Sequence, residues 1–192
     1  GVFDTAAPLR QPGGARVDRA LRPAEARSIT RRVAEELRAA RLLVSSFGAV
    51  VGADSPLRAV ADAHLLVAAA TDLTTDQRLA HEEAARSTVT SITGALSAPG
   101  RASITLTARE GTVPITLQND SGVPADVIVR LRSSKLEFPD GDTLRVTLTD
   151  PTTRLNIPVR ARTSGTFPLR VSVTSPDGLL TLAAVDYSVQ ST

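Results

Sequence analysis

Few residues of this chain are of a type that does chemistry, and their spacing decides which chemistry is open to them. His81-Glu82-Glu83-Ala84-Ala85 begins like the helical zinc-protease motif, in which two histidines one turn apart hold the metal. Ala85 stands where the second ligand belongs, so the motif is incomplete. His64, the other histidine, sits beside Leu65 and Leu66 without a ligand set and is expected to be a packed structural residue. The pairs Glu35-Glu36 and Glu82-Glu83 do not form an acid–base couple, because adjacent helical residues point about 100° apart; both are expected to be solvated surface. Asp140-Gly141-Asp142 and Asp120-Ser121 offer fewer oxygens than the 6 to 8 that calcium takes and read as turn stabilisers. No glycine-rich phosphate loop and no Gly-x-Ser-x-Gly elbow occur. The absence of cysteine excludes disulfides, thiolate metal sites and a cysteine nucleophile. Asn119-Asp120-Ser121 matches a glycosylation sequon but reads better as an asparagine turn. These positions predict no catalytic residue, no metal and no cofactor, and hence a non-enzymatic protein.

Arginine is the one chemically active residue in excess: of the 22 basic residues only Lys135 is a lysine. Projected at about 100° per residue, Arg27, Arg31, Arg38 and Arg41 fall in one narrow sector of the first predicted helix, beside the apolar stripe of Ile29, Val33, Leu37 and Val44. Such a stripe is a candidate surface for anionic lipid, wall polymer or an acidic partner. The plainer reading is a solvated face in which Arg31 pairs with Glu35 one turn on. The isoelectric point near 9.9 does not point to nucleic acid. Up to Ala98 there are 12 basic and 11 acidic residues, and beyond it 10 and 9. Neither half carries the basic stripe with stacking aromatics that nucleic-acid binding needs.

Three helical segments must position these groups. Residues 1–22 are polar and broken by Pro8, Pro12 and Gly13-Gly14, and read as an extended linker. Pro23 opens a helix whose apolar residues recur at Ile29, Val33, Leu37, Ala40, Val44 and Phe47, with Gly48 and Gly52 as its end. Ser55-Pro56 starts a second helix through about Ala70, with Ser55 as cap. Thr74 and Gln77 form a capping box for a third, which carries Leu79, Val89, Ile92 and Leu96 until Pro99-Gly100. Alanines in all three let helix axes approach closely.

Beyond Pro99-Gly100 the period changes from 3.6 to 2. Ile104 and Leu106, then Val113, Ile115 and Leu117, then Val127, Val129 and Leu131 alternate with polar or exposed partners. Further strands fit 136–138, 144–148, 155–159, 167–173 and 180–189, separated by turns rich in Asn, Asp, Gly and Pro. Pro114, Pro158 and Pro168 are expected at sheet edges, bulges or strand starts, because proline has no N–H to donate to a ladder. The predicted class is α+β and multidomain: a three-helix antiparallel bundle over 23–98, followed by an immunoglobulin-like antiparallel β-sandwich over 101–192. The longest apolar run, 65–70, is far below the roughly 18 residues of a membrane span. No signal peptide is recognisable, and the absence of any methionine suggests a segment of a longer protein.

The runs Ile104–Asn119, Val127–Leu136, Pro158–Leu169, Thr174–Gly178 and Val189–Thr192, with Ala39–Ser46 and Leu65–Thr74 in the helices, resemble the C-terminal extracytoplasmic part of a family of actinobacterial, uncharacterised membrane proteins. The resemblance covers about residues 24–192. It implies an extracytoplasmic region tethered to the cell membrane by an anchor shortly beyond this segment. The family's genes commonly neighbour that of the lipid II flippase, which implies a link to peptidoglycan assembly. No functional residues of the family can be carried over to these positions. The expected function is a docking or spacer platform with an envelope protein as partner. The alternative is a module binding cell-wall glycan, for which the aromatics are few: Phe47, Phe167 and Tyr187 fall on patterned apolar faces, leaving Phe3 and Phe138.

Overall fold

The computed structural model describes residues 23–70, 73–100, 103–106 and 108–191, with side chains from residue 31 onward. The expected linker 1–22 lies outside the described residues. The chain divides into two compact units, 1–34 and 35–192. The described part of the first is the opening of a helix; all packing below belongs to the second.

Among the described residues three helices come first, α1 (Pro23–Val51), α2 (Pro56–Ala68) and α3 (Thr75–Gly94). Gly52 ends α1 with a φ of 92°, a left-handed conformation that glycine adopts without strain. Pro56 occupies the first turn of α2, but the expected cap is absent: Ser55 makes no side-chain capping bond. The capping box of α3 is complete, with Thr74 Oγ1 accepting from the Gln77 N–H and Gln77 Oε1 accepting from the Thr74 N–H. Among the described residues no helix is long and apolar enough to cross a membrane.

Among the described residues nine strands follow: β1 (Leu96–Ser97), β2 (Ser103–Leu106), β3 (Glu110–Asn119), β4 (Ala125–Arg132), β5 (Leu136–Glu137), β6 (Thr143–Leu148), β7 (Thr152–Ala161), β8 (Gly165–Thr174) and β9 (Thr181–Ser191). They form a four-stranded sheet, β1-β3-β7-β5, and a five-stranded sheet, β2-β9-β8-β4-β6. The first strand was expected as the tail of the third helix. Instead α3 stops at Gly94, the Ala95 carbonyl accepts from the Asp120 N–H at 3.0 Å, and Leu96 pairs with Asn119. The ladders are antiparallel except one: β2 runs parallel to β9, so the second sheet is mixed.

Pro114 pairs with Asn156, Pro158 with Thr112 and Pro168 with Ser188. At each position the strand is laddered on one side only. β1 meets β3 at 118–119, β5 meets β7 at 160–161, and β4 meets β8 at 170–174. The missing N–H therefore does not interrupt a two-sided ladder.

Two apolar clusters result. The larger draws Val113, Ile115 and Leu117 from one sheet and Val127, Val129, Leu131, Leu169 and Val171 from the other, the alternate residues that a period of 2 places on one face. The smaller joins Ala40, Val44 and Phe47 of α1 to Ala61 and Leu65 of α2 and Ala85 and Val89 of α3. They meet at the end of α1. Val50 belongs to the strand cluster, and Leu180, beside β9, packs on the helical one. A polar knot of two buried serines and the exposed Asp177 reinforces this seam. Ser46 Oγ of α1 and Ser175 Oγ both donate to Asp177 Oδ1, at 2.6 and 2.5 Å, while Ser175 Oγ accepts from the Leu180 N–H at 2.9 Å. Both hydroxyl protons are thereby used, so the 3.2 Å approach of the two serine oxygens is a contact enforced by a shared acceptor.

Candidate functional site

The site grows from the alternation of the five-stranded sheet. β4 buries Val127, Val129 and Leu131, which turns Arg130 and Arg132 outward; β8 buries Phe167 and Leu169, which turns Pro168 and Arg170 outward. Register completes a row across three strands: Arg132 opposes Arg170, and Arg170 opposes Asp186 of β9. Like charges directly opposed repel. Arg170 is instead held by Asp186 through a two-bond fork, Nε to Oδ1 at 2.8 Å and Nη2 to Oδ2 at 2.9 Å. That fork raises the Arg170 pKa and holds the Asp186 carboxyl below its ordinary value.

Residues 133–142, which lead from β4 through β5 to β6, form the opposite wall. They are pinned by backbone bonds: Arg162 N–H to Lys135 O at 2.9 Å, Gly141 N–H to Phe138 O at 3.0 Å, and Leu131 N–H to Asp142 O at 2.8 Å. Gly141 takes a φ of 95° in this turn. Between wall and sheet lies an open groove of about 1010 Å³, reached by Arg132, Arg162, Arg170, Glu137, Phe138 and Asp142, with the hydroxyls of Ser133 and Ser134. Arg162 pairs with Glu137 at 3.2 Å. Among the described residues Arg132 pairs with no acid. The groove thus presents guanidinium and carboxylate groups in fixed places, two hydroxyls and one half-buried ring, a set suited to grip carboxylates or polar chains.

The positions singled out in the sequence are scattered. Arg31, Arg38 and Arg41 are exposed on α1, Arg31 within the first unit and the other two within the second; the side chain of Arg27 lies outside the described residues. His64 and His81 face one another across α2 and α3, Nδ1 to Nδ1 at 3.2 Å, with ring centroids 5.5 Å apart. That separation is the nitrogen distance plus the reach of two rings. The rings therefore meet head-on, one nitrogen donating and the other accepting, and their lone pairs do not converge on a common point. Among the described residues no group of three His, Cys, Asp or Glu is placed to hold a metal. Asn119 is buried and structural: Nδ2 donates to Val123 O and Leu148 O, at 2.8 and 3.0 Å, and Oδ1 accepts from Ser121.

The solvated-surface expectation fails for Glu82, which is 5% exposed with Oε1 unpartnered. The buried stripe of α3 is Glu82, Ala85 and Val89, not the stripe through Leu79, which is 48% exposed. Burial first, and then the charge of Glu36, push the Glu82 carboxyl above its ordinary 4.5, against the pull of Arg86 and Arg78. The groove residues were missed. The alternation of Arg130 and Arg132 was legible as a strand face, but only register reveals what lies beside it.

No curated protein matches the chain in sequence. Among solved structures, Escherichia coli alpha-2-macroglobulin aligns over 51% of this chain and 7% of its own, at 18% identity and a TM-score of 0.40. WR4, an MSP family member of Caenorhabditis elegans, aligns over 47% of this chain and 92% of its own, at 7% identity and a TM-score of 0.35. A PapD-like domain of human CEP192 aligns over 52% of this chain and 86% of its own, at 16% identity and a TM-score of 0.33. A family model matches residues 5–192, nearly the whole chain, and the protein accordingly belongs to the family of unknown function DUF6049.

Proposed function

We propose that the chain is a non-catalytic extracytoplasmic module of a membrane-anchored, actinobacterial cell-envelope protein, a docking or spacer platform serving peptidoglycan assembly. In this reading a three-helix bundle leans on an immunoglobulin-like sandwich. The strand order supports the sandwich: β1-β3-β7-β5 follows the A-B-E-D order, and β9-β8-β4 the G-F-C order, of the immunoglobulin constant type, with β2 and β6 added at the edges. The observation that carries docking is the groove over β4 and β8, whose walls are pinned by backbone bonds and two of whose arginines, Arg162 and Arg170, are held in ion pairs. A rigid, open, charged concavity suits recognition of a partner surface. Envelope placement and the membrane anchor rest on the family resemblance.

Phe138 favours a second reading, binding of cell-wall glycan. Phe47, Phe167 and Tyr187 are closed into the two cores, whereas Phe138 is half-buried in the groove wall, where a sugar ring can stack. One experiment separates the readings. A photo-crosslinking residue is placed at Ser134 in the groove and, as a control, at exposed Thr152 of β7, in the full-length protein in native membranes. A discrete protein adduct from Ser134 alone supports docking. Retention on purified wall glycan that Phe138→Ala abolishes supports the second reading. Neither result would overturn both.

A further inference from the structure

We infer that the outer face of the five-stranded sheet, along β4 and β6, is a docking strip for an extended acidic peptide segment that presents carboxylates at alternate residues. The inference rests on the docking reading and names the partner's chemistry.

Arg130 and Arg132 of β4 and Arg145 of β6 all point outward and are exposed. Arg145 is level with Ile128, its partner across the ladder. Along the strand axis the Cα atoms of the three arginines therefore stand at the levels of residues 132, 130 and 128, in equal steps of two residues, about 6.6–7 Å each, with one sideways step of about 4.8 Å to β6. An extended peptide has the same two-residue repeat on each face. Laid along β4 and crossing slightly toward β6, it brings carboxylates i, i+2 and i+4 to the three guanidinium groups. Each arginine offers a planar fork that a carboxylate meets with two hydrogen bonds.

None of the three pairs with an acid among the described residues, although acids border the strip. Asp126 accepts from the Thr147 hydroxyl at 2.5 Å, Asp142 from the Thr143 hydroxyl at 3.0 Å, and Asp186 holds Arg170. These committed carboxylates flank a narrow cationic line. A broad anionic surface such as a bilayer would press against them, and a single extended chain would not.

The test uses the full chain and a labelled, alternating Glu-Thr peptide of about ten residues, read by fluorescence anisotropy at low and high salt. A peptide of the same composition with all its glutamates in one block is the comparison. The alternating peptide should bind more tightly, about threefold or more, and weaken as salt rises. Arg130→Gln, Arg132→Gln and Arg145→Gln together should weaken it about tenfold or more, each exposed pair contributing modestly. Arg132→Lys, which keeps the charge and loses the fork, should fall between. Arg38→Gln with Arg41→Gln should leave binding unchanged. An unchanged triple variant with native circular dichroism overturns the proposal, as does equal binding of the block peptide. Tighter binding to phosphatidylglycerol vesicles or to dextran sulfate than to the alternating peptide, lost in the triple variant, also overturns it in favour of a membrane or an anionic glycan. A Ser134 adduct with no peptide binding would remove the strip and leave docking standing. Peptide binding without that adduct would keep the strip as the docking surface and remove the groove from it.

Discussion

Between the strands burial is close to complete. Val113, Ile115, Val127, Val129, Leu169 and Val171 have no exposed surface, and they reach the core as alternate residues of β3, β4 and β8. Between the helices three of the seven cluster members are alanines, while Leu42, Val60, Leu66, Val67 and Leu79 remain exposed and Glu82 is enclosed. Alanine contacts bring helices close but remove little apolar surface from water, at about 25 cal/mol per Å². The strand cluster takes in Val50 at the end of α1, and the helical one draws on Leu180 and on the serine–aspartate knot. The lesson is that the helices hold their arrangement partly by attachment to the sheets, so the seam matters as much as either core.

The largest effect is expected at Phe47, fully buried and, among the described residues, the one aromatic member of the helical cluster. Phe47→Ala should cost about 3–5 kcal/mol. Tyr187 is the sole tyrosine and is buried among the strands, so its fluorescence reports the sheets while far-ultraviolet circular dichroism at the helix minimum reports the helices. Both signals should melt together. Separate transitions would show two independent modules and defeat the seam argument.

A smaller effect, about 2 kcal/mol, is expected for Asp177→Ala, which strands the hydroxyls of Ser46 and Ser175. Burial works to raise the Asp177 carboxyl, but hydrogen bonds from Ser175, Ser46 and the Leu179 N–H outweigh it and hold it below its ordinary 3.8. A depressed folded pKa contributes stability that is present above the ordinary value and lost as pH falls through the folded one. Urea titrations from neutral pH downward should show that loss in the native chain and lack it in Asp177→Ala. Profiles that fall in parallel would contradict the role given to the knot.

The smallest effect is of opposite sign. Glu82→Leu should stabilise the chain by about 1 kcal/mol at neutral pH, since it replaces a buried acid that lacks a partner on Oε1. The Glu82 pKa is raised, so its penalty is present above the folded value and gone below the ordinary 4.5. The advantage of leucine over glutamate should therefore fade in acid. Urea midpoints at neutral pH and near pH 3, about a unit and a half below that ordinary value, measure it. A destabilised variant at neutral pH would mean that Glu82 has a role the helical packing conceals.

Periodicity made the strands legible, because a half-buried strand writes its burial directly into alternate residues such as Val127, Val129 and Leu131. The start of α3 was legible for a similar reason, since Thr74 and Gln77 make a local bond. The stripe of α3 was not. Leu79 and Glu82 are one turn apart, and which of them faces inward depends on the neighbouring helices. β1 was hidden because two residues carry no period, and Leu96 became a strand residue through its pairing with Asn119. The groove and the arginine strip were hidden for the same reason. Arg130, Arg132 and Arg145 lie within 16 residues in sequence, but their equal steps appear only through the β4–β6 register.

The parallel pairing of β2 with β9 bears on how the molecule is made. Ser103 meets Ser188 and Leu106 meets Ser191, partners about 85 residues apart, while β1, a few residues before β2, is already committed to β3 in the other sheet. During synthesis β2 must wait, with its edge open, until β9 has emerged. Contacts so distant along the chain slow the search for the native topology, and an unpaired edge held open meanwhile invites other chains to pair with it. The brevity of β2, four residues, limits that hazard by giving a foreign strand little to grip.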